Sequence, residues 1–455
     1  MRILLLIPGR LGERMSAPEI RGWNLALELQ RDHEVSIAAA ADSAWVGGRL
    51  PLISTERPHV VRAAMASDAV IGAPVAPYLF GALAAHPTLL IADLYNPASV
   101  EEACDRTGIA ASITLAGIRA HEALQLTLAD AVLCAVDAQR RQLKARIDAL
   151  CGEVAARPLL RTVPFGVDNE PPPPSARHPI RERFPSIAED DTIVLWWGNV
   201  WRWFDAETAL RAFAILAVEE PKLKLVFTAG TPPRQEARGI DRTGSARQLA
   251  AALGLLGKSV HFVDQWVPHA ERHDYLQEAD IGLTLHRDTP EKQVAARGRY
   301  MDYLWARLPC VLAAGDELAD LFGASGFAIT VAPGDVAGTA AALRRLSRDP
   351  TLRAAARTAA EPLLRRFQWS AAVAPLLEVL KLLDGKPPLR LRARRRLLGR
   401  LMRVYAWRLA TEVANRSEPV AVRLARGERR SPSAHPDAQR DHPPHGPSIG
   451  AAEQP

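Results

Sequence analysis

Cysteine is scarce in this sequence. Its 455 residues include four cysteines, at Cys104, Cys134, Cys151 and Cys310, and none of them forms a C-x-x-C pair. A disulfide framework or a structural zinc site needs closely patterned cysteines, so neither is expected. This usage favours a reducing compartment, and we expect a cytoplasmic protein.

Long apolar segments are also missing. The N-terminal run Ile3–Ile7 is too short for the apolar core of a secretory signal, and no segment approaches the about 18 residues of a membrane-spanning helix. The sequence therefore predicts a protein that is soluble or peripheral to a membrane.

Motifs of phosphate and acyl chemistry are scarce. The sequence has no D-x-D pair and no Walker A loop, and its G-x-S-x-G match, Gly446–Gly450, lies in the proline-bearing tail, without the strand and helix of a nucleophile turn around it. A P-loop nucleotide site and a serine hydrolase are therefore not expected. A metal cofactor is not expected either, because a divalent metal on a diphosphate would lack its usual carboxylate ligands.

Basic charge is concentrated at the C-terminus. From Pro387 onward the chain has fourteen arginines and six acidic residues, a balance of +8, whereas the whole chain carries +6. Residues 1–386 therefore have a net charge of −2. The globular part is close to neutral, and the basic character belongs to an appendage.

The sequence does contain a repeated alternation of apolar strands and amphipathic helices, which is typical of doubly wound parallel sheets. A four-proline connector, Glu170–Ser175, divides two such series. We predict an N-terminal Rossmann-like domain over 1–168, a Pro-rich linker over 169–185, a C-terminal Rossmann-like domain over 186–366 and a closing helix over 367–386.

Two facing α/β domains leave a cleft at the carboxyl ends of their strands. Gly198 follows a predicted strand and permits close backbone approach, and Arg202 follows it with a guanidinium group. Arg297 and Arg299 come from another loop, and Asp302 lies one helical turn after Arg299. These residues predict a clamp for a diphosphate and a ribose, whereas a surface ion pair is the alternative for Arg299 and Asp302.

The N-terminal half offers two further candidates. Gly12 lies in the loop after the first strand, where it brings backbone close to a donor molecule. Asp93 ends a predicted parallel strand, so its side chain is expected in the crevice, although a helix N-cap would look the same. Trp196 is expected in the core, and Trp201 is left open between packing and ligand stacking.

The basic appendage has two parts. Over 389–409 arginines interleave with leucine and aromatic residues, which is the composition of an interfacial membrane helix. We predict a basic amphipathic helix over 387–415 that contacts an anionic membrane surface, with a solvated helix as the alternative. No nucleic-acid partner is expected because no nucleic-acid recognition motif accompanies the arginines. The tail over 416–455 is expected to be disordered.

Several of these stretches together resemble family-four glycosyltransferases, which have the GT-B fold of two Rossmann-like domains. The resemblance runs from Met1 to about Leu383. It is carried by Ile3–Pro8, Ile20–Gln30, His33–Val35, Val163–Asp168, Gly198–Trp203, Val260–Asp264 and Asp302–Val311, the last resembling the family's Glu-Ala-hydrophobic-Ala-x-Gly-x-Pro-Val-Val.

The resemblance implies a retaining enzyme that moves a sugar from a nucleotide-diphosphate donor without a metal. It implies that Asp302 binds the donor ribose and that Arg299 or Arg202 holds the diphosphate. It also places Asp93 at the position of the family's N-domain histidine, as the candidate catalytic residue. The expected acceptor is a bacterial cell-envelope polysaccharide or glycolipid.

Three positions depart from the family pattern. Asp93 replaces the histidine, Val294 replaces the first glutamate of the family's acidic pair, and Arg307 replaces the glycine before Leu-Pro. Glu291, in a loop nearby, is expected to be a solvated loop residue, with substitution for the missing acid as the alternative. These departures leave two other interpretations open, a catalytically silent GT-B scaffold that binds a nucleotide sugar and, less favoured, a nucleotide-sugar epimerase.

Overall fold

The computed structural model describes residues 1–40, 43, 49–96, 98–104, 108–152, 156–230, 241–392 and 398–411. Within this part of the chain lie two parallel β-sheets, with helices packed on both faces of each. The predicted α/β class, with two Rossmann-like units, is confirmed.

The N-terminal sheet has seven strands in the order β3-β2-β1-β4-β5-β6-β7. The strands are β1 (Arg2–Leu6), β2 (Glu34–Ala38), β3 (Leu52–Ile53), β4 (Ala69–Gly72), β5 (Leu89–Asp93), β6 (Ala131–Cys134) and β7 (Leu159–Thr162). The helices are α1 (Ala17–Leu29), α2 (Arg57–Ala66), α3 (Pro77–Ala82), α4 (Ala98–Ala103), α5 (Ile109–Leu128) and α6 (Asp137–Cys151).

The second sheet has six strands in the order β10-β9-β8-β11-β12-β13. The strands are β8 (Thr192–Trp196), β9 (Leu223–Thr228), β10 (Val260–Val263), β11 (Ile281–Thr284), β12 (Cys310–Ala313) and β13 (Ala328–Val331). The helices are α7 (Pro179–Arg183), α8 (Ala206–Glu219), α9 (Thr243–Ala252), α10 (Arg272–Glu278), α11 (Gly298–Trp305), α12 (Glu317–Ser325), α13 (Val336–Arg348) and α14 (Pro350–Phe367), with 3₁₀ turns at His269–Glu271 and Pro290–Val294.

The order of the strands in each sheet indicates where a ligand site would lie. In both sheets the order reverses beside the first strand of the unit, between β1 and β4 and between β8 and β11. In open parallel sheets the loops on either side of such a switch point diverge and leave a crevice at the carboxyl ends of the strands. The two crevices face one cleft.

The chain returns to the N-terminal domain at Phe367. The Val167 N–H donates to the Phe367 carbonyl oxygen at 2.7 Å, and the Trp369 N–H donates to the Val167 carbonyl oxygen at 3.0 Å. A Cβ on Gly166 would lie 2.4 Å from the Trp369 ring, so only glycine fits there. The segment predicted as one closing helix is two, α15 (Trp369–Ala372) and α16 (Ala374–Leu383), and these pack against α1 and β7.

Two described parts of the basic appendage are helical, α17 (Leu389–Arg392) and α18, over 398–411. The single helix over 387–415 stays a prediction. The Arg390 side chain is fully buried in the N-terminal domain, so the start of the segment cannot lie on a membrane. Residues 393–397 and 412–415 and the predicted tail lie outside the described residues.

Candidate functional site

A cleft with a cavity volume of about 380 Å³ lies between the two sheets. The first domain lines it with the loop before α1 and the segments after β5 and β7, and the second with the loops after β8, β10 and β11. Aromatic rings form much of its wall: Tyr95, Phe165, Trp197, Trp201, Trp203, Phe204, Trp266, Trp305 and Trp369. An aromatic cleft with a few convergent polar groups is the usual form of a small-molecule site.

Helix α11 carries two of the predicted site residues, and the sheet fixes its position. The Tyr303 hydroxyl lies 3.0 Å from the carbonyl oxygens of Leu195 and Leu283, at the ends of β8 and β11, and accepts a hydrogen bond from the Trp197 N–H at 3.1 Å. Tyr303 therefore holds α11 against both strands at the switch point. Arg299 and Asp302 face the cleft from this helix.

Arg299 is a cation without a carboxylate partner. Its Nη2 donates to the Asn199 carbonyl oxygen at 2.8 Å, its guanidinium carbon lies 3.8 Å from the centre of the Phe204 ring, and its buried Nη1 has no hydrogen-bond partner. Burial lowers the pKa of Arg299 to about 10. Of the arginines that line the cleft within the described residues, Arg299 is the one with no carboxylate within 4 Å. A buried N–H donor left open on a charged group suits an anionic ligand.

Arg297 is committed elsewhere. Glu291 accepts hydrogen bonds from its Nη1 at 2.8 Å and its Nη2 at 2.7 Å. Glu291 is 1% exposed, so the expectation that it is a solvated loop residue was wrong. Val294, at the position of the family's first acid, is buried and does not line the cleft. Glu291 therefore neutralises Arg297 and leaves the free cationic contact to Arg299.

Asp302 does not pair with Arg299, which removes the surface ion pair as an explanation for the two residues. Its Oδ2 accepts a hydrogen bond from Trp197 Nε1 at 3.0 Å, and its Oδ1 lies 3.5 Å from Arg272 Nε. Burial raises the pKa of Asp302 to about 6, against the opposing effect of Arg272. Burial thus disfavours the ionised form of Asp302, which is nevertheless the form present at neutral pH. A carboxyl group with such a shifted pKa in a cleft is a sign of a functional site.

Arg272 was missed by sequence reasoning. It opens α10, its guanidinium carbon lies 4.0 Å from the centre of the Trp305 ring, and it forms ion pairs with both Asp168 and Asp302. Asp168 ends the Val163–Asp168 stretch of the sequence analysis. Its carboxylate was the available sign that a cationic side chain would lie there. Arg272 thus links Asp168, where the chain leaves the N-terminal domain, to the Asp302 carboxylate in the cleft.

Gly198 lies in the cleft, as predicted. Its φ of +80° is in the region that favours glycine, and its N–H donates to Thr228 Oγ1 at 2.8 Å. A Cβ there would come within 3.6 Å of Arg299 Nη2. Beside it, the buried Asn199 Oδ1 has no hydrogen-bond partner and is available to a ligand hydroxyl.

Arg202 and Gly12 lie outside the cleft wall. Arg202 is buried, donates to the Glu101 carbonyl oxygen and lies 3.5 Å from a Glu102 carboxylate oxygen, so it joins the loop after β8 to α4 of the other domain. A Cβ on Gly12 would meet nothing within 4 Å. We therefore leave both residues out of the clamp.

Asp93 is also absent from the cleft wall. Both of its carboxylate oxygens accept hydrogen bonds from Arg21, at 2.6 and 3.0 Å, and both side chains are buried. The same guanidinium donates to the carbonyl oxygens of Val163 and Pro164, each at 3.0 Å. This arrangement gives Asp93 a structural partner in place of the predicted contact with substrate.

Glu101 is a cleft carboxyl that the sequence did not single out. It projects from α4, and its Oε2 accepts a hydrogen bond from Asn96 Nδ2 at 3.0 Å. Burial, assisted by the nearby Glu291 carboxylate, raises the pKa of Glu101 to about 7. A carboxyl that titrates near neutral pH in a cleft is suited to proton transfer.

The tryptophan expectations are settled by position. Trp196 is fully buried in the second domain, with its ring centre 5.3 Å from that of Phe227, so its predicted core role is confirmed. Trp201, which was left open, lines the cleft.

No protein-family model matches the chain, and no curated protein matches it. Solved structures do. HepE of Anabaena in complex with UDP-glucose is 15% identical with a TM-score of 0.62, and the match covers 85% of this chain and 100% of HepE. Sucrose-phosphate synthase of Thermosynechococcus elongatus is 17% identical with a TM-score of 0.60, covering 84% and 98%. The α,α-trehalose 6-phosphate synthase of Burkholderia multivorans is 13% identical with a TM-score of 0.60, covering 85% and 99%. The chain thus has the GT-B fold that the sequence predicted.

Proposed function

We propose that this protein is a glycosyltransferase that moves a sugar from a nucleotide-diphosphate donor to a glycan or lipid-linked acceptor. The observation that carries the proposal is Arg299, a half-buried cation whose buried Nη1 has an open N–H donor, in an aromatic cleft between two Rossmann-like domains. The similar HepE structure contains UDP-glucose, which supports a nucleotide-sugar donor.

Each part of a donor has a matching group in the cleft. Arg299 and the N-terminus of α11 bind the diphosphate, because the guanidinium and the helix dipole both favour negative charge there. Asp302 accepts hydrogen bonds from the ribose hydroxyls. The tryptophan rings of the wall stack on the base or the sugar.

The finer features are also proposals. Retention of anomeric configuration, membership of family four and a bacterial cell-envelope acceptor follow from the sequence resemblance. Metal independence is supported by Arg299, because a fixed cation and a helix N-terminus can stabilise the charge of the leaving diphosphate. A cytoplasmic location at the inner face of a membrane follows from the cysteine usage and the basic appendage.

The raised pKa of Asp302 predicts a pH dependence of donor binding. Because this pKa is about 6, Asp302 is ionised at pH 7.5 and becomes protonated as the pH falls toward 5, when it loses its capacity as a double acceptor. We expect the affinity for a nucleotide sugar, whose diphosphate diester does not titrate in this range, to fall about tenfold from pH 7.5 to 5. Calorimetric titration across this range should show a flat profile for Asp302→Asn, and an equally steep profile in that variant would contradict the assignment.

Glu101 is proposed to accept the proton of the acceptor hydroxyl, since it faces the cleft from the opposite domain to the clamp. Glu101→Gln should lower kcat about 10²-fold, a typical contribution of general acid–base catalysis, and leave donor affinity within twofold of wild type. The pH–rate limb near 7 should disappear. A variant with unchanged kcat, or with lost donor affinity, would remove Glu101 from this role.

Donor turnover tests the function directly. Purified protein is incubated with UDP-sugars, with and without candidate lipid-linked and glycan acceptors, and the products are resolved by mass spectrometry and by NMR of the anomeric proton. Acceptor-dependent transfer with retained configuration supports the proposal. Donor binding without turnover would identify a scaffold, and conversion to an isomeric sugar without an acceptor would identify an epimerase.

A further inference from the structure

Helix α18 lies against the N-terminal domain. Val404 is 1% exposed, and Leu401 packs with it against that domain's core. Farther along, Trp407 and Thr411 lie beside α5, where a Cβ on Gly117 would come within 3.7 Å of Trp407 Cβ and 3.5 Å of Thr411 Oγ1. One face of α18 is therefore occupied by protein, and the helix has a defined rotation about its axis.

The segment just before α18 is anchored. The Arg390 guanidinium donates to the carbonyl oxygens of Leu83, at 2.7 Å, and His86, at 2.6 Å, and lies 3.4 Å from the Asp130 carboxylate. The Leu389 N–H also donates to Asp130. The appendage thus begins inside the N-terminal domain and presents α18 from a fixed point.

The outer face of α18 is apolar. Leu398, Met402, Tyr405 and Leu409 recur at intervals of four, three and four residues, so they form one stripe along the helix. They are 66%, 65%, 43% and 65% exposed. We call these four residues the outer stripe.

Arginines flank the outer stripe on both sides. Arg403 follows Met402 and Arg408 precedes Leu409, so at about 100° per residue they project to opposite sides of the stripe. Both are exposed, and the sequence over 398–411 contains no acidic residue. An apolar stripe between two basic edges is the pattern of a helix that lies in a membrane interface. No helix of the described residues is long and apolar enough to span a bilayer.

We infer that the outer stripe docks on an anionic lipid bilayer, with α18 parallel to its surface. Charge decides between a bilayer and a second copy of the chain. Pairing two stripes would bring the four arginines of two copies together, whereas anionic headgroups would neutralise them. The inference narrows the sequence prediction: the membrane contact lies on one face of 398–411, and Arg390 belongs to the protein interior.

The stripe also bears on the acceptor, and this step rests on the proposed function. Helix α18 packs on α5, whose first residue, Ile109, is 80% exposed. Ile109 follows Glu101 of the cleft wall by eight residues, which can span at most about 29 Å. Ile109 and Trp407 of α18 line one surface pocket, so docking of α18 brings the start of α5 near the bilayer. The matching acceptor is lipid-linked, with its sugar or phosphate at the membrane surface.

Vesicle sedimentation of the full-length protein tests the docking. Wild type should sediment with vesicles of phosphatidylglycerol and phosphatidylcholine, and the double variant Met402→Asp/Leu409→Asp should bind at least tenfold more weakly. Arg403→Gln/Arg408→Gln should lose the preference for anionic vesicles over pure phosphatidylcholine. Val218→Asp is the matched control, because Val218 is 85% exposed on α8 of the other domain, and it should bind as wild type does.

Three outcomes would overturn the inference: no binding by wild type, wild-type binding by the stripe variant, or a stripe variant that converts a dimer to a monomer on gel filtration with no change in vesicle binding. The last would assign the stripe to a second copy. The thermal shift with UDP is measured on each variant, so loss of docking with donor binding intact is distinguishable from failure of the proposed function.

Discussion

Arg299→Met should weaken UDP binding by about 10- to 100-fold and lower kcat/KM by about 10²- to 10³-fold. The variant loses charge-assisted hydrogen bonds to the diphosphate, each worth about 1.5–3 kcal/mol, and removes charge stabilisation of the leaving group. The melting temperature of the free protein should change little. The variant loses the hydrogen bond to the Asn199 carbonyl oxygen and the contact with Phe204, but it also removes a charge whose burial is unfavourable.

Two further variants separate charge from geometry. Arg299→Lys keeps a cation but not the planar fork, so it should recover part of the affinity. Arg211→Ala removes an exposed arginine on α8 and should leave UDP affinity unchanged. Calorimetric titration measures all three. UDP binding by Arg299→Met at wild-type affinity would show that the diphosphate is held elsewhere.

Asp93→Ala should destabilise the N-terminal domain by about 3–5 kcal/mol, the usual cost of leaving one member of a buried ion pair uncompensated. Arg21 would keep its charge in a site where it is 1% exposed. Arg21 also holds the carbonyl oxygens of Val163 and Pro164, so the loss would reach the crossing between domains. Urea unfolding followed by circular dichroism measures the change.

The controls distinguish a structural from a catalytic role. The double variant Arg21→Met/Asp93→Leu removes both charges and should recover much of the lost stability. Glu207→Ala, which breaks an exposed pair with Arg211, should leave the midpoint almost unchanged. If Asp93→Ala folded with wild-type stability and lost only turnover, Asp93 would instead be the catalytic residue that the resemblance implied.

The fold was largely predictable because it depends on local patterns. Apolar strands alternating with amphipathic helices determined both parallel sheets, and the proline run marked their boundary. The two-residue strand β3 carries no periodicity by which the sequence could reveal it. Composition could not reveal that Arg390, in the basic appendage, finds four acceptors in the N-terminal domain.

The relative positions of candidate site residues were predictable where the residues lie on one helix. Spacing placed Arg299 and Asp302 together on α11, but it could not reveal which arginines already have carboxylate partners. Arg297 and Arg202 are paired with Glu291 and Glu102. Glu291 lies in the same loop as Arg297, and Glu102 belongs to the other domain, and outside regular helices and strands sequence spacing does not reveal which side chains meet.

Arg307, which replaces the glycine of the family pattern, lies in a turn with an unusual backbone conformation. Its φ is +51°, so the turn before Leu308 requires the left-handed conformation that glycine adopts without cost. An ion pair with Glu361 at 2.6 Å accompanies the arginine. The glycine of the family pattern therefore serves the backbone, and its replacement here bears on the turn and not on the donor.

We propose that the cleft binds a nucleoside diphosphate through Arg299 and Asp302. Thermal unfolding of the wild-type protein in a panel of nucleoside diphosphates and their sugars, with and without EDTA, tests it most directly. At a hundredfold excess over Kd a bound ligand adds about 2.7 kcal/mol of stability, which raises the melting temperature by several degrees. We expect such a rise with one diphosphate and its sugar, unchanged by EDTA. No rise with any of them would contradict it.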